Sequence, residues 1–264
     1  MEFEEFRSNK IGYFYTVSNH NINFHLHAHR SFELIAVRQG KIRCEISGQK
    51  FAIGAGEGAL IFPGQIHAYQ TVSSSDSVLF IFSSDWVERF YEDVRGTHFE
   101  IPVCKDIDER WIQTLQRKDV NQYLRKAVLY EICGRFYDCC KLIETNEAEF
   151  ALTNAIAFYI QDHYHQRITL MDMARDMGYN YSYLSSFFNR CFGDGFSRYL
   201  NRFRLEYAVH YLTHTDKSIT EISDLCGFDT IRNFNRLFRE EFQTTPRAFR
   251  KEAQTLQKSG ESPD

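Results

Sequence analysis

An internal repeat in the C-terminal part of this 264-residue chain is the feature that most restricts its fold. Residues 168–179 resemble residues 218–228, and the apolar positions beyond them continue to match with one extra residue in the second copy. A repeat of about 50 residues predicts two copies of one supersecondary unit. The matched pairs before the turn are Leu170 and Ile219, Met173 and Ile222, Ala174 and Ser223, Gly178 and Gly227, and Tyr179 and Phe228. The matched pairs after the turn are Leu184 and Phe234, Phe188 and Phe238, Phe192 and Phe242, and Tyr199 and Phe249.

Each copy carries the local signals of a helix-turn-helix. Thr169 and Ser218 each stand three residues before an acidic residue, which is the spacing of a capping box at a helix start. The glycine near the end of each first helix can adopt the left-handed conformation that ends a helix without strain at Cβ. Asn180 or Asp229 is then expected to cap the second helix. A plain helical bundle would explain one such pattern, but two copies in register favour a pair of DNA-binding units.

The second copy and the residues after it resemble the DNA-binding domain of the AraC/XylS family of transcription regulators. The resemblance covers residues 150–251, with ITEI at 219–222, CGFD at 226–229, FNRLFR at 234–239 and TPRAFR at 245–250. It implies two recognition helices that enter adjacent major grooves on one face of double-stranded promoter DNA. It also implies a linker helix over Phe196–Leu212 between the two units.

The resemblance further implies which residues contact DNA. The implied base-facing residues of the first recognition helix are Ser182, Tyr183, Ser185 and Ser186. Those of the second are Ile231, Arg232, Asn235 and Arg236. Arginine binds guanine and asparagine binds adenine through paired hydrogen bonds. Position 186 is often arginine in the family, so its serine leaves phosphate contact as an alternative for the first helix. The phosphate candidates are Asn189, Arg190 and Arg239, although exposed basic residues are most often simply solvated.

The N-terminal part has the pattern of many short strands, which predicts a β-barrel or sandwich. The runs rich in β-branched and aromatic residues are Phe32–Val37, Ile42–Ile46, Ala59–Phe62 and Val78–Phe82. The spacing H-x-H-x3-E-x6-G from His27, and the spacing G-x7-G-x2-H that ends at His67, resemble the two motifs of the cupin barrel. A cupin-like barrel is also the usual sensor domain of this regulator family.

A pocket for a small-molecule effector is the preferred interpretation of these motifs. The predicted lining residues are His27, His29, Glu33, His67, Phe24, Phe32 and Tyr69. The three histidines and Glu33 could also hold Fe, Mn, Ni or Zn. Because regulators of this family often keep such histidines as polar pocket lining, we predict no bound metal and no cofactor. Thr71 and Phe62 depart from the cupin pattern, which argues against catalysis.

A helix is predicted between the two parts, because apolar residues recur there every three or four positions. These residues are Leu124, Val128, Ile132, Phe136, Cys139 and Ile143. The stripe could pack on its own barrel or form a dimer interface, and the pattern fits both. The short polar segment Glu144–Glu147 is a predicted linker.

The predicted fold class is therefore a two-domain α+β protein. Residues 1–100 are predicted to form the cupin-like effector-sensing β-barrel, and residues 101–148 a helical dimerisation or linker region. Residues 149–253 are predicted to form the all-α double helix-turn-helix domain, and residues 254–264 a disordered tail, since its last residues are polar with glycine and proline.

Composition adds weak constraints on function. The net charge of −4 does not by itself indicate a nucleic-acid-binding protein. Seven scattered cysteines without a Cys-x-x-Cys pair favour reduced thiols in the cytoplasm. We find neither a secretory signal nor an apolar run of about 18 residues, so no membrane association is expected.

The predicted function is a non-enzymatic, sequence-specific transcription regulator that responds to a small effector, for which the family resemblance favours a sugar or similar metabolite. It is predicted to form a homodimer and to have RNA polymerase as a partner. The alternative is a metal-dependent cupin enzyme with an accessory helical domain. A helical scaffold that does not bind DNA is a third interpretation.

Overall fold

A computed structural model describes residues 11–259, without the side chains of residues 252, 254 and 256–259. The chain divides into two compact units, with the boundary between Ala157 and Phe158. We call them the sheet unit and the helical unit. The sequence placed the boundary at 148–149 instead.

The sheet unit is built on one seven-stranded antiparallel sheet. Its strands are β1 (Phe14–His20), β2 (Asn23–His27), β3 (Phe32–Ile46), β4 (Gln49–Gly54), β5 (Gly58–Ile61), β6 (His67–Phe82) and β8 (Val103–Cys104). The order is β1-β6-β3-β5-β8, while β2 pairs with β6 and β4 pairs with β3. Each of the two long central strands therefore changes partner along its length. Over the described residues the ladder ends at β1 and β8, so the cupin-like domain is an open sandwich and not a closed barrel.

Strand β3 runs through a position where the sequence predicted a break. Phe32–Val37 and Ile42–Ile46 were expected to be separate strands, because Gly40 lies between them. The structure keeps both in β3, and the pairing register with β6 shifts around Gly40. Gly40 has φ +75°, and a Cβ there would overlap the backbone oxygen of Ser74. This glycine therefore allows a bulge within the strand instead of ending it.

Helices cover one face of the sheet. They are α1 (Glu88–Asp93), α2 (Glu109–Gln116) and α3 (Gln122–Cys139), and a small second sheet pairs β7 (Thr97–Phe99) with β9 (Leu142–Glu144). The buried residues of α3 join one apolar cluster with the sheet, and they are Val128, Leu129, Ile132, Cys133 and Phe136. The interpretation that this helix packs on its own sheet is confirmed.

Three residues of the predicted apolar stripe lie elsewhere. Leu124 is 43% exposed, Cys139 is exposed, and Ile143 belongs to β9. Successive steps of four residues drift about 40° around a helix of 3.6 residues per turn, so the predicted row leaves the buried face at its ends. The predicted linker is shorter than expected, because Glu144 ends β9 and Glu147 begins the next helix, which leaves only Thr145 and Asn146 as the connection.

The helical unit contains the repeat. Its helices are α4 (Glu147–His163, which begins in the sheet unit), α5 (Leu170–Asp176), α6 (Tyr181–Phe192), α7 (Phe196–His214), α8 (Ile219–Leu225), α9 (Ile231–Phe242) and α10 (Pro246–Ser259). Helix α7 includes the predicted linker helix, and it is buried through Tyr199, Leu200, Phe203, Ala208 and Leu212 among others. Helix α10 continues through Ser259, so the predicted tail is wrong for residues 254–259, where good helix formers follow a proline at the first helical position. Residues 260–264 lie outside the described part of the chain.

The segment Tyr164–Gln166 contacts both α7 and the turn of the second repeat copy. Arg204 of α7 is buried, and it donates hydrogen bonds to the backbone oxygens of Tyr164 at 2.8 Å and Gln166 at 2.7 Å. Tyr207 stacks on Tyr164 with ring centroids 4.2 Å apart. In the second copy, a Cβ at Gly227 would lie 2.6 Å from the Tyr164 oxygen. The turn of the second copy therefore packs directly on the segment that precedes the first.

Candidate DNA interface and ligand site

Both helix-turn-helix units have the predicted starts and turns. Thr169 and Ser218 each form a complete capping box with the acidic residue three positions later. Gly178 has φ +72° and Gly227 has φ +75°, which is the left-handed conformation expected where the first helix ends. These four predictions are confirmed.

The second helix of each unit starts differently. The Asn180 side chain accepts from the backbone N–H groups of Ser182 and Tyr183 and caps α6, as predicted. Helix α9 is capped by Thr230, whose hydroxyl accepts from the N–H of Asn233, and not by the predicted Asp229. The extra residue in the second turn moves the helix start one position along the chain.

Helix α6 presents hydroxyl groups and aromatic rings at its exposed start. Tyr183 is 52% exposed and stacks on Tyr179 with centroids 5.8 Å apart. Of the other predicted contact residues on α6, Ser185 is partly buried, and the exposed ones are Ser182, Ser186, Asn189 and Arg190. The sequence analysis did not select Tyr181, which is 44% exposed beside them. The start of α6 therefore offers hydrogen-bonding groups without a cation.

Helix α9 concentrates positive charge on its exposed face. A shallow groove of about 560 Å³ is lined by Arg232, Asn235, Arg236, Arg239, Glu240 and Gln243. Four of these six are predicted DNA-contact residues, and Ile231 is exposed at the start of the same helix. The opposite face of α9 is buried through Phe234 and Phe238.

Arg236 is engaged by its own helix. Its Nη1 lies 2.7 and 2.9 Å from the two carboxylate oxygens of Glu240, and its Nη2 lies 3.0 Å from the Asn233 side-chain oxygen. The sequence analysis missed this pair, although the i,i+4 spacing of opposite charges was available to find it. Both terminal nitrogens of Arg236 are therefore engaged by residues of its own helix.

A second cluster of functional groups is buried in the sheet unit. His27, His29, Glu33 and His67 are each 3% exposed or less, and one potential ligand atom from each lies within 4.8 Å of all the others. His27 and His67 are directly paired across β2 and β6. His29 lies between β2 and β3, and Glu33 lies near the start of β3. The sequence prediction that these four side chains meet is supported by this geometry.

Backbone carbonyl groups orient all three imidazole rings. The Nδ1 atoms of His27, His29 and His67 lie 2.8, 3.0 and 2.8 Å from a carbonyl oxygen two residues away in the chain. Because a carbonyl oxygen only accepts hydrogen bonds, each Nδ1 carries the hydrogen. The Nε2 atom of His67 is buried without a hydrogen-bond partner among the described residues, and it lies 3.5 Å from a Glu33 oxygen. The rings are therefore held in the orientation that leaves Nε2 to face the cluster.

Glu33 is the anionic centre of this cluster. It accepts a hydrogen bond from the Tyr69 hydroxyl, and His29 Nε2 lies 3.0 Å from its other carboxylate oxygen. Burial alone would raise the pKa of Glu33, but the adjacent imidazoles of His67 and His29 outweigh it and hold this pKa well below its usual value. Burial, followed by the charge of Glu33, raises the pKa of Tyr69. The site therefore contains a carboxylate and a neutral phenol.

The predicted aromatic walls divide between the two faces of the sheet. Phe24 lies 5.9 Å from His27 and Tyr69 lies 5.7 Å from His67, measured between ring centroids. Phe32 instead packs on Phe82 in the core beneath the helices. Its prediction as a wall of the same pocket is wrong, because successive residues of a strand point to opposite faces.

Cys44 lies in the core beside this site and was not among the residues predicted from the sequence. Cys44 is fully buried and pairs with Tyr69 across β3 and β6. Its alternation with Ile42 and Ile46 was the available signal that its side chain faces inward.

Comparison with known proteins identifies the family. The sequence profile of the AraC-like ligand binding domain matches residues 11–156, which is more than half of the chain. The chain belongs to the AraC/XylS family of transcription regulators. A helix-turn-helix domain profile matches residues 173–252 of this AraC-family protein.

Individual relatives agree with this assignment. The HTH-type transcriptional activator RhaS of Escherichia fergusonii is 25% identical over 243 residues, covering 85% of this chain and 86% of RhaS. An uncharacterised HTH-type transcriptional regulator of Staphylococcus aureus strain N315 is 35% identical over 97 residues, covering 37% of this chain. That match spans only 13% of the S. aureus protein.

Solved structures support the two-part fold. The crystal structure of an apo ToxT variant from Vibrio cholerae strain SCE256 aligns with a TM-score of 0.61 and 13% identity, covering 92% of this chain and 98% of ToxT. ToxT of V. cholerae O395 bound to a naphthalenyl butenoic acid aligns with a TM-score of 0.63 and 12% identity, covering 91% and 99%. The AraC-family chain thus shares the two-part fold of these structures, and the two sequence profiles assign it an AraC-like ligand binding domain and a helix-turn-helix domain. Among its described helices, none combines the length and apolarity needed to cross a bilayer.

Proposed function

We propose that this protein is a one-component regulator that binds promoter DNA through α9 and α6 and changes its DNA affinity when a small effector occupies the sheet unit. The observation that carries the proposal is the exposed groove of α9, in which Arg232, Asn235, Arg236 and Arg239 lie together. These side-chain types bind base edges and phosphates in the major groove.

The two recognition helices have different tasks in this proposal. Helix α9 reads bases through Arg232, Asn235 and Arg236, with Arg239 on a phosphate. Helix α6 contacts mainly phosphates, because Ser182, the other serines and the tyrosines near its start supply hydroxyl donors. The sequence specificity of the protein then rests chiefly on the second unit.

The proposed effector site is the face of the sheet that carries the histidine cluster, with Phe24 and Tyr69 beside it. Imidazole nitrogens, a carboxylate and a phenol suit a hydroxylated metabolite such as a sugar. The structure of ToxT bound to a small organic acid supports a small-molecule effector for this chain as well. The effector acts by binding one of two conformational populations more tightly, which shifts the fraction able to bind DNA.

DNase footprinting on the DNA that flanks the gene for this protein tests the proposal. We expect a protected site whose affinity changes at least about fivefold in the presence of one member of a carbohydrate panel, a typical coupling free energy being ~1–3 kcal/mol. The variant Tyr69→Phe keeps the ring but removes the hydroxyl, so it should reduce this response and leave basal DNA binding unchanged. Absence of any protected site would contradict DNA recognition, whereas a protected site without a response would contradict only the effector proposal.

A metal-loaded sensor or cupin enzyme is a second candidate, favoured by the unpartnered Nε2 of His67 within the described part of the chain. The donor set fits a divalent transition metal, since His27, His29 and His67 would bind through Nε2 and Glu33 through its carboxylate. When bound, such a metal would supply a Lewis-acidic centre able to hold an oxygen ligand. We nevertheless propose a regulator without catalytic activity, because its relatives are transcription regulators.

Metal content of the purified protein decides this second candidate. If the cluster holds a metal, we expect close to one equivalent of Fe, Mn, Ni or Zn in the wild type and a loss of about 10–100-fold in metal affinity or more in His67→Ala, since even outer-shell changes cost that much. The control His20→Ala removes an exposed histidine outside the cluster and should leave the content unchanged. A wild-type protein without metal after exposure to all four ions would exclude the metal-dependent alternative.

We further propose that the protein is a homodimer joined through the outer face of α3. A row on that face alternates aromatic and small residues at spacings of four and three, and its members are Tyr123, Ala127, Tyr130, Gly134 and Tyr137. All five are exposed, and a Cβ at Gly134 would contact nothing within 4 Å in the described structure. A mid-helix glycine costs about 1 kcal/mol, and close approach of a second helix supplies a reason for it.

Sedimentation of the variant Tyr137→Lys tests the dimer. We expect its dimer dissociation constant to rise at least about tenfold, because a charge would enter the contact in place of an aromatic ring. Glu131→Lys places the same residue on α3 outside the row and should dimerise normally. Wild-type protein that sediments as a monomer at micromolar concentration would contradict the proposal.

Location and transcriptional partner complete the proposed function. We propose that the protein acts in the cytoplasm, where promoter DNA is accessible, and contacts RNA polymerase there. The activator RhaS, which aligns over most of both chains, supports a polymerase partner.

A further inference from the structure

Three thiols in the sheet unit lie close together outside both sites described above. Cys139 Sγ lies 2.8 Å from Cys104 Sγ and 3.5 Å from Cys140 Sγ. Cys104 belongs to β8, Cys139 ends α3, and Cys140 caps that helix. Cys104 and Cys140 are buried, whereas Cys139 is exposed. A reagent in solution therefore meets Cys139 first, and a second sulfur lies directly behind it.

We propose that Cys139 and Cys104 are a redox-active thiol pair, which forms a reversible disulfide by exchange with a small disulfide such as oxidised glutathione. The contact between their sulfur atoms brings together two elements that are distant in sequence, an edge strand and a helix end. Intracellular disulfides of this kind are usually transient and associated with redox sensing.

The exchange balances without another reactant. The Cys139 thiolate attacks one sulfur of oxidised glutathione, breaks its S–S bond and releases one glutathione thiolate, which takes up a proton. Cys104 then loses its proton to solvent and attacks the Cys139 sulfur of the mixed disulfide, which releases the second glutathione. Two protein thiols are oxidised to one disulfide, and one oxidised glutathione is reduced to two glutathione molecules.

The surroundings of the two cysteines affect the rate of disulfide formation and the stability of the disulfide differently. Burial raises the pKa of Cys104 to about 12 and also raises the pKa of Cys139, while nearby Arg135 partly opposes both shifts. A small thiolate fraction makes the first attack slow. The same environment does not stabilise either thiolate of the reduced pair. The disulfide, once formed, is therefore more resistant to reduction than one between cysteines of low pKa. The pair therefore suits a response to sustained oxidation.

The position of the pair gives the disulfide a structural effect. It would tie the last turn of α3 to strand β8, which pairs with β5 through Gly58 and Ala59. Helix α3 would then lose freedom at the end that leads into β9 and α4.

Mass spectrometry of the full-length protein after incubation with oxidised glutathione tests the pair. We expect the wild type to lose the mass of two hydrogen atoms and to give a peptide linked through Cys104 and Cys139. In Cys104→Ala, the glutathione adduct on Cys139 should accumulate at least about tenfold more than in the wild type, because the resolving thiol is missing. Cys140→Ser should behave as the wild type.

Two further measurements keep the result interpretable. Cys139→Ser alters only an exposed side chain, so it preserves the fold and should abolish both the linked peptide and the adduct at this site. Circular dichroism verifies that Cys104→Ala, at a buried position, remains folded. A wild-type protein that retains a stable glutathione adduct on Cys139, a link through Cys140, or unchanged thiols would overturn the proposal.

Discussion

Replacing both Arg232 and Arg236 by alanine should weaken binding to the specific DNA site by about 30-fold to 25,000-fold, at ~1–3 kcal/mol for each lost bidentate base contact. Both guanidinium groups belong to the exposed groove of α9. The loss at Arg236 should be the smaller of the two, because its pair with Glu240 must be broken when DNA binds. Fluorescence anisotropy with specific and scrambled duplexes at several salt concentrations provides the measurement.

The matched control for this variant is Arg110→Ala with Arg117→Ala. It removes the same charge from exposed arginines of the sheet unit, each paired with a nearby aspartate. If the α9 arginines held phosphates instead of bases, both duplexes would weaken equally and the salt slope would fall by about two. A folded double variant with full specific affinity would show that α9 does not read the DNA.

Replacing Gly227 by alanine should destabilise the helical unit by about 2–5 kcal/mol. Placing a Cβ at positive φ costs roughly 1–2 kcal/mol, and overlap with a packed backbone adds about 1–3 kcal/mol. At Gly227 that backbone is the Tyr164 carbonyl, which Arg204 already holds by a hydrogen bond. Chemical denaturation monitored by circular dichroism measures the free energy of unfolding.

Gly178→Ala is the matched control, since Gly178 occupies the equivalent turn of the first unit with nearly the same φ. A Cβ there meets no atom of the described residues within 4 Å, so only the conformational cost of about 1–2 kcal/mol remains. Equal destabilisation by the two variants would show that the close approach at Gly227 is not a significant constraint.

These two glycines also mark how far the sequence could predict the structure. Local signals identified both turns and both capping boxes, because a cap or a turn depends on residues a few positions apart. The difference between Gly178 and Gly227 depends on Tyr164, which is distant in sequence. The same limit explains Gly40, where proximity to Ser74 turned an expected strand end into a bulge.

The candidate sites show a similar division. The spacing of His27, His29 and Glu33 was enough to group them with His67, since the motif resemblance supplied the missing strand pairing. The same spacing did not predict the location of the Phe32 side chain. That location depends on which face of β3 packs against the helices. The tyrosine row of α3 escaped notice because tyrosine suits both buried and exposed positions.

The packing of α7 and the second repeat copy on Tyr164–Gln166 has a practical consequence for building hybrid regulators. A crossover placed within α7 would take the Tyr164 and Gln166 carbonyls from one parent and the Gly227 turn that packs on them from the other, and a crossover before Arg204 would also separate this arginine from its carbonyl acceptors. If the second parent had lysine at position 204, that lysine could not reproduce the two directed hydrogen bonds of Arg204. Junctions upstream of Tyr164 would transfer all of these contacts together. DNA-binding specificity is therefore best exchanged by moving the whole segment from Tyr164 onward as one unit.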